Sequence, residues 1–474
     1  MLERPLVKNV SAQTTGNAVL VIALAWLLAA CSGATAREAE WPPLATKWFE
    51  RAKKSYSVAD IEDAELAVEN AARLLPEEPK IRILASQVAL AQLEYDHCID
   101  LLQGMSTTEA RAIRGRALWY SGALEQTADE LDLLLTDPEV RDPWAREIAK
   151  LARLGSGRKP FAITGGMLAV ADMPKTGTAA MVVPLEVNGE PALGMIATGV
   201  PEAVIDSSGG ARPSWISLRF GDSVEVRDVP ALAKDLSGLS RQVNAPIKVL
   251  LGVNLLRHLN ATFDFAGGQF VVRSFEPPPP PNATTLRLDY LRGGGMVIRS
   301  TMGSDEGAPT ASLLIDTSLL YPIALDAGGW KKAGVRMKDL RPVEGMPGLK
   351  QGMLPMMHLG AFEVPQVPGV LDDSVATFEK TLSVDLDGTL GAGLLAYFRV
   401  TITADGRAMW LEDMPEGTMS AGSPDGAPPP ESEAPVLPGP LPLPDGEPGL
   451  APPAHDGLPG APRLAPPQLT PPQP

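Results

Sequence analysis

The chain has 474 residues, 45% of them hydrophobic, which is enough for several packed cores with unstructured additions. Its formal net charge of -16, with no clustered run of Lys or Arg, excludes a phosphate-tracking surface and with it nucleic acid as a partner. The acidity otherwise signals little beyond solubility.

Residues 18–28, AVLVIALAWLL, form an apolar run preceded by Arg4 and Lys8. The run is too short to span a bilayer comfortably and is built like a secretory signal. It leads into Leu28-Ala29-Ala30-Cys31, which resembles the lipobox of bacterial lipoproteins. That resemblance implies a signal peptide over 1–31, a lipidated Cys31 as the mature N-terminus, and a lipid anchor in the membrane. Ser32 after the cysteine implies sorting to the outer membrane, facing the periplasm. An uncleaved anchor and soluble secretion are the alternatives.

Cys98 then has no partner for an internal disulfide, so stability must come from packing. His97 beside it suggests a metal pair, but helical neighbours point in different directions and no further ligands stand nearby. Cys98 reads as a buried small residue, and neither a metal nor a cofactor is expected.

From Trp41 to Leu154 apolar residues recur at three- and four-residue spacing among Ala, Glu and Arg, which predicts consecutive amphipathic helices, a domain over 41–155. Ala64 to Pro79, Ala89 to Leu102 and Ala117 to Pro138 share a pattern of a small residue, an apolar run and often a Pro. They resemble degenerate tetratricopeptide repeats, with Cys98 and Ala128 at the matching small position. A plain helical bundle is the other reading of the same pattern.

After Gly155 short β-branched or apolar segments alternate with Gly, Pro and Asp, the signature of a mostly β region reaching Asp413. A polyproline run, Pro277 to Pro281, interrupts it and predicts a stiff spacer over 276–283. The region so divided, 160–275 and 284–413, repeats itself. Leu250 to Val272 lies over Thr389 to Leu411, matching Gly252 with Gly391, Thr262 with Thr401 and Gly267 with Gly406 at a constant offset. Arg219 to Pro230 lies over His358 to Pro368 with one residue dropped, and Val182 to Gly199 fills the same opening position as Met296 to Ser318. From Met414 to Pro474 Pro and Gly dominate; such a segment cannot bury a core and is expected to be disordered.

Each half therefore has a hairpin ending in an apolar strand, a turn, and a later apolar-apolar-Gly segment. The turns are Ala197-Thr198-Gly199 and Asp316-Thr317-Ser318; the later segments are Leu250-Leu251-Gly252 and Thr389-Leu390-Gly391. This pattern resembles the retropepsin-like aspartic proteases. Two consecutive copies imply two retropepsin-like lobes forming a pepsin-like bilobed unit, each lobe supplying a turn that its apolar-apolar-Gly segment holds.

In that family two carboxylates share a proton: one, ionised, activates water, and the other, protonated, polarises the scissile amide. Here Asp316 is present and its counterpart is Ala197, which carries no proton. Loss of a general acid/base step costs roughly 10²–10⁴-fold, so one chain with its lobes paired is expected to turn over almost nothing. Asp206 and Asp326 each close an apolar strand and read as structural acids, and Glu202 is expected to point to solvent. Asp316 is equally open to reading as an ordinary turn acid. A cover is expected between turn and later strand, from 207–215 in the first half and from the longer 328–352 in the second, where an exposed insertion is the alternative.

Three functions fit. The first is a non-catalytic envelope lipoprotein whose helices and cleft bind a peptide or an envelope protein by strand-type pairing. The second is an active aspartic peptidase formed as a homodimer that pairs Asp316 with Asp316. The third is a structural scaffold with an empty cleft.

Overall fold

The computed structural model describes residues 41–413 except 266, 304–306, 345, 347, 374 and 404–405. The signal segment with Cys31 and the Pro/Gly-rich segment after Asp413 lie outside the described residues. Among the described residues no helix is long and apolar enough to cross a membrane.

Seven helices come first among the described residues: α1 Pro43–Ser57, α2 Ile61–Leu74, α3 Pro79–Ala91, α4 Tyr95–Leu101, α5 Thr108–Tyr120, α6 Leu124–Leu134 and α7 Pro143–Leu154. Their starts are written in the sequence. Asp60, Thr107 and Asp142 each accept an N–H three residues on, and Pro opens α1, α3 and α7, where its missing N–H costs nothing. Cys98 and Ala128 are both fully buried, on α4 and α6, and burial pushes the Cys98 thiol up to about 12.

The first lobe contains β1 Ala162–Gly165, β2 Leu168–Asp172, β3 Val182–Val187, β4 Glu190–Ile196, β5 Ala203–Asp206, β6 Ser214–Phe220, β7 Val224–Lys234, α8 Ser237–Gln242, β8 Ile247–Leu251, α9 Val253–Leu256, β9 Thr262–Asp264 and β10 Gln269–Arg273. The second contains β11 Thr284–Arg287, β12 Asp289–Leu291, β13 Gly295–Met302, β14 Thr310–Asp316, β15 Ile323–Leu325, α10 Ala327–Lys332, β16 Arg341–Pro342, β17 Lys350–Leu359, β18 Phe362–Leu371, α11 Val375–Leu382, β19 Gly388–Gly391, α12 Ala392–Leu395, β20 Phe398–Ile402 and β21 Ala408–Asp413.

The lobes share one wiring. In the first, the β3–β4 hairpin sends β4 parallel to β8, β5 runs antiparallel to β8 and parallel to β7, and β7 returns to β6. In the second, β13–β14, β19, β15, β18 and β17 repeat each of those pairings in the same sense. The two lobes then build one six-stranded sheet together, in the order β11-β21-β20-β9-β10-β2. At its centre β9 meets β20, Thr262 lies opposite Thr401, and their hydroxyls bond at 2.8 Å. Equivalent residues meeting each other is what a pseudo-two-fold axis requires. The proline run 277–281 contains no regular element and carries the chain from β10 to β11. The architecture is thus an all-α region followed by two mostly β lobes of like wiring, as expected for two equivalent halves.

Candidate functional site

Each turn sits where a hairpin strand gives out beside a parallel neighbour. Ile196 is the last residue of β4, opposite Leu251 of β8, and the Ala197 N–H continues the ladder to the Leu251 carbonyl at 3.1 Å. Asp316 ends β14 opposite Gly391 of β19. The backbone after each later strand then crosses close beneath its turn. Val253 and Asn254 donate to the carbonyls of Val200 and Pro201, and Gly391 and Ala392 donate to those of Pro322 and Leu319. Glycine is required at these crossings, because a Cβ on Gly252 would lie 2.2 Å from the Glu202 carbonyl oxygen and one on Gly391 2.0 Å from that of Tyr321.

The two turns of one chain meet. Thr198 Oγ1 donates to the Ile315 carbonyl at 2.9 Å and accepts the Thr317 N–H at 2.9 Å. Thr317 Oγ1 donates to the Ile196 carbonyl at 2.9 Å and accepts the Thr198 N–H at 3.1 Å. Both threonines are 2% exposed, so these four bonds work where water does not compete. The reciprocal pattern makes Thr198 equivalent to Thr317 and therefore Ala197 equivalent to Asp316.

Asp316 is 5% exposed. Its Oδ1 accepts the Ser318 N–H at 2.9 Å and the Ser318 hydroxyl at 2.6 Å, and the Gly199 N–H donates to the carboxylate from the other turn. Burial pushes its pKa above the ordinary carboxylate value, and these donors oppose the rise. A Cβ on Gly199 would lie 2.4 Å from the Asp316 carboxyl carbon, so the first turn is seated directly against the acid. Ala197, 2% exposed, presents a methyl group where a second carboxylate would complete a proton-sharing pair. The described site can hold and orient a single proton donor or acceptor.

Glu202 does not point to solvent. It is 2% exposed and turned toward the helical region, where Oε1 accepts the indole N–H of Trp119 at 3.0 Å and of Trp144 at 3.3 Å; Oε2 accepts from Asn254 at 3.2 Å. Burial pushes this carboxyl up against the pull of those donors. The helices that carry the indoles lie far away in the chain, and nothing local to Glu202 announces them. Asp206 accepts from Ser208, Leu236 and Lys248, and Asp326 caps α10 by accepting the Gly329 N–H, so both carboxylates are engaged in the scaffold.

Between turn and later strand the halves differ. Residues 207–213 form no strand, whereas 328–352 hold α10 and the small β16–β17 hairpin, whose loop brings Met346 Sδ to the Tyr321 hydroxyl at 3.6 Å. Two cavities lie elsewhere. One of about 400 Å³ covers the outer face of the six-stranded sheet between Arg273, Trp410 and Pro277, and one of about 290 Å³ lies near Asp60, Asp289 and Arg299. Neither is lined by the turns. Among the described residues no group of three His, Cys, Asp or Glu is placed to hold a metal.

No protein-family model matches the chain, and no curated protein matches it in sequence. Among solved structures, a retropepsin-like aspartic protease from Rickettsia conorii overlays with a TM-score of 0.21 at 16% identity, over 29% of this chain and 95% of that one. Basic 7S globulin from soybean overlays with a TM-score of 0.34 at 10% identity, over 53% of this chain and 95% of that one.

Proposed function

We propose that this chain is a non-catalytic, aspartic-protease-like binding protein of the cell envelope. It is held by a lipid on Cys31, faces the periplasm from the outer membrane, and engages a peptide or envelope protein through its lobes and its tetratricopeptide-like helical hairpins. The observation that carries the reading is the methyl group of Ala197 in the position equivalent to Asp316, inside a four-bond lock that is otherwise complete. A lone carboxyl cannot be ionised to activate water and protonated to polarise the scissile amide at the same time, so on this reading the site binds without turning over.

The homodimeric peptidase reading is less well supported. Bringing two copies of Asp316 together would require Thr317 to leave Thr198 and the Gly199 N–H to leave the carboxylate. A net hydrogen bond in such a buried place contributes about 1 kcal/mol, so the exchange begins several kcal/mol uphill.

The test is hydrolysis of an unfolded protein substrate between about pH 3 and 6 by the full chain and by Asp316→Asn. Equal, background rates are expected. Acid activity that disappears in Asp316→Asn would overturn the reading.

A further inference from the structure

We infer that the helical region is the resident ligand of the lobes: it is seated on the side of both turn strands that carries Ala197 and Asp316, and a socket for indole N–H groups, centred on Glu202, holds it there. The inference rests on reading the two turns as the floor of a binding cleft, and names what fills that cleft and how it is held.

Strand alternation gives the direction. Along β14, Ala311, Leu313 and Ile315 pack into the lobes' common core, so Ser312, Leu314 and Asp316 project to the opposite side. On that side the Ser312 hydroxyl donates to the Val58 carbonyl between α1 and α2 at 2.5 Å, and Leu314 packs in one cluster with Ala52, Ile61 and Ala64 of those helices. Along β4, Ile196 belongs to the common core, whereas Met195 and Ala197 belong to the cluster that contains Ala128, Trp144 and Ile148 of α6 and α7. Two independent strands, one from each lobe, therefore turn their floor side toward helices.

The socket gives the chemistry. Glu202 follows the first turn by three residues, and the cation that acts on it, Arg257, attracts its charge while bonding Asn254. Glu202 is compensated by three neutral N–H donors, two of them indoles brought by α5 and α7. Asn254 is oriented in turn by Arg257 at 2.5 Å, and the same guanidinium lies over the rings of Tyr95 and Tyr120 at 5.5 and 4.8 Å. A buried carboxylate satisfied by N–H groups on large apolar rings selects tryptophan-bearing helices, since removing either indole leaves a buried acceptor short of a donor. Trp215 adds a reciprocal contact, donating its own indole N–H to the Leu151 carbonyl of α7 at 2.9 Å. An external partner that reaches the floor must displace these helices first.

Hydrogen exchange on the full chain tests this with the pair Trp119→Phe and Trp144→Phe, and with Trp144→Phe alone as the milder variant. The expected result is at least tenfold faster exchange in segments 195–202 and 312–318, together with 108–154, while the central sheet segment 262–273 is unchanged. Trp144→Phe should show the same pattern at smaller amplitude. Faster exchange in 108–154 without any change in the floor segments would overturn the inference, as would uniform acceleration of every segment in both variants. Peptide cleavage by the loosened double variant separates the two proposals: Asp316-dependent cleavage would overturn catalytic silence while leaving the resident helices in place as an explanation.

Discussion

Thr198 and Thr317 carry one hydroxyl to each turn, and each hydroxyl both donates to a carbonyl and accepts an amide from the other lobe. Thr198→Val keeps the shape and removes the hydroxyl, leaving the Ile315 carbonyl and the Thr317 N–H without a partner. Each buried orphan costs about 1–3 kcal/mol, so for the two together chemical denaturation should record a loss of about 2–6 kcal/mol. A change below about 0.5 kcal/mol would mean that the lock does not form. His258 makes a second residue-scale prediction. It stacks on Phe161 with centroids 4.4 Å apart, its Nε2 has no hydrogen-bond partner, and burial pushes its imidazole from 6.5 down to about 3. The fold accepts the neutral ring, so this stabilisation is fully present above about pH 6.5 and is lost as pH falls toward 3, by up to about 5 kcal/mol. His258→Phe should flatten that part of the acid limb in a series of denaturation curves between pH 3.5 and 7. An acid limb identical to that of the unmodified chain would refute the assignment.

At the scale of elements, the crossing of β19 beneath the second turn leaves no room for a side chain. Gly391→Ala places a methyl 2.0 Å from the Tyr321 carbonyl oxygen, a backbone atom that cannot swing aside. A loss of about 3 kcal/mol or more is expected in denaturant titrations, and an unchanged midpoint would show that the strand does not cross there. This crossing was legible in the chain because the later segment repeats: Gly252 and Gly391 stand at the same constant offset as the Thr262 and Thr401 pair, although they follow their own turns at different distances. The match of Arg219 to Pro230 with His358 to Pro368 was legible only as a repeat; the structure places the β6–β7 and β17–β18 hairpins there, with Gly221 and Gly360 at the positive φ their tight turns need. Glu202 was not legible. Its donors arrive from Trp119 and Trp144, 83 and 58 positions away, and a carboxylate between a turn and a strand looks solvated until a helix is placed over it. The shared six-stranded sheet was equally hidden, although the Thr262 and Thr401 match that reveals the repeat also marks its centre.

For the whole molecule, a two-lobed unit with a pseudo-two-fold axis is closed on its floor side by the helices that precede it. The axis passes between β9 and β20, and the lock joins the lobes across the same boundary. The two turns thus meet as equivalents, and they differ at the paired position by one side chain, Ala197 against Asp316. The sequence repeat discloses the pairing of the lobes, because equivalent positions must share patterning. It cannot disclose the closure by the helices, which breaks the symmetry and depends on contacts between distant segments.

The most direct measurement is acid peptidolysis after Ala197→Asp, made in the chain loosened by Trp119→Phe and Trp144→Phe, with Asp316→Asn added as the control. Cleavage at least about 10²-fold above the loosened chain that retains Ala197 is expected, together with its loss when Asp316 becomes Asn. A folded variant that carries both aspartates on an exposed floor and still cuts nothing would contradict the claim that a single missing carboxylate silences this site.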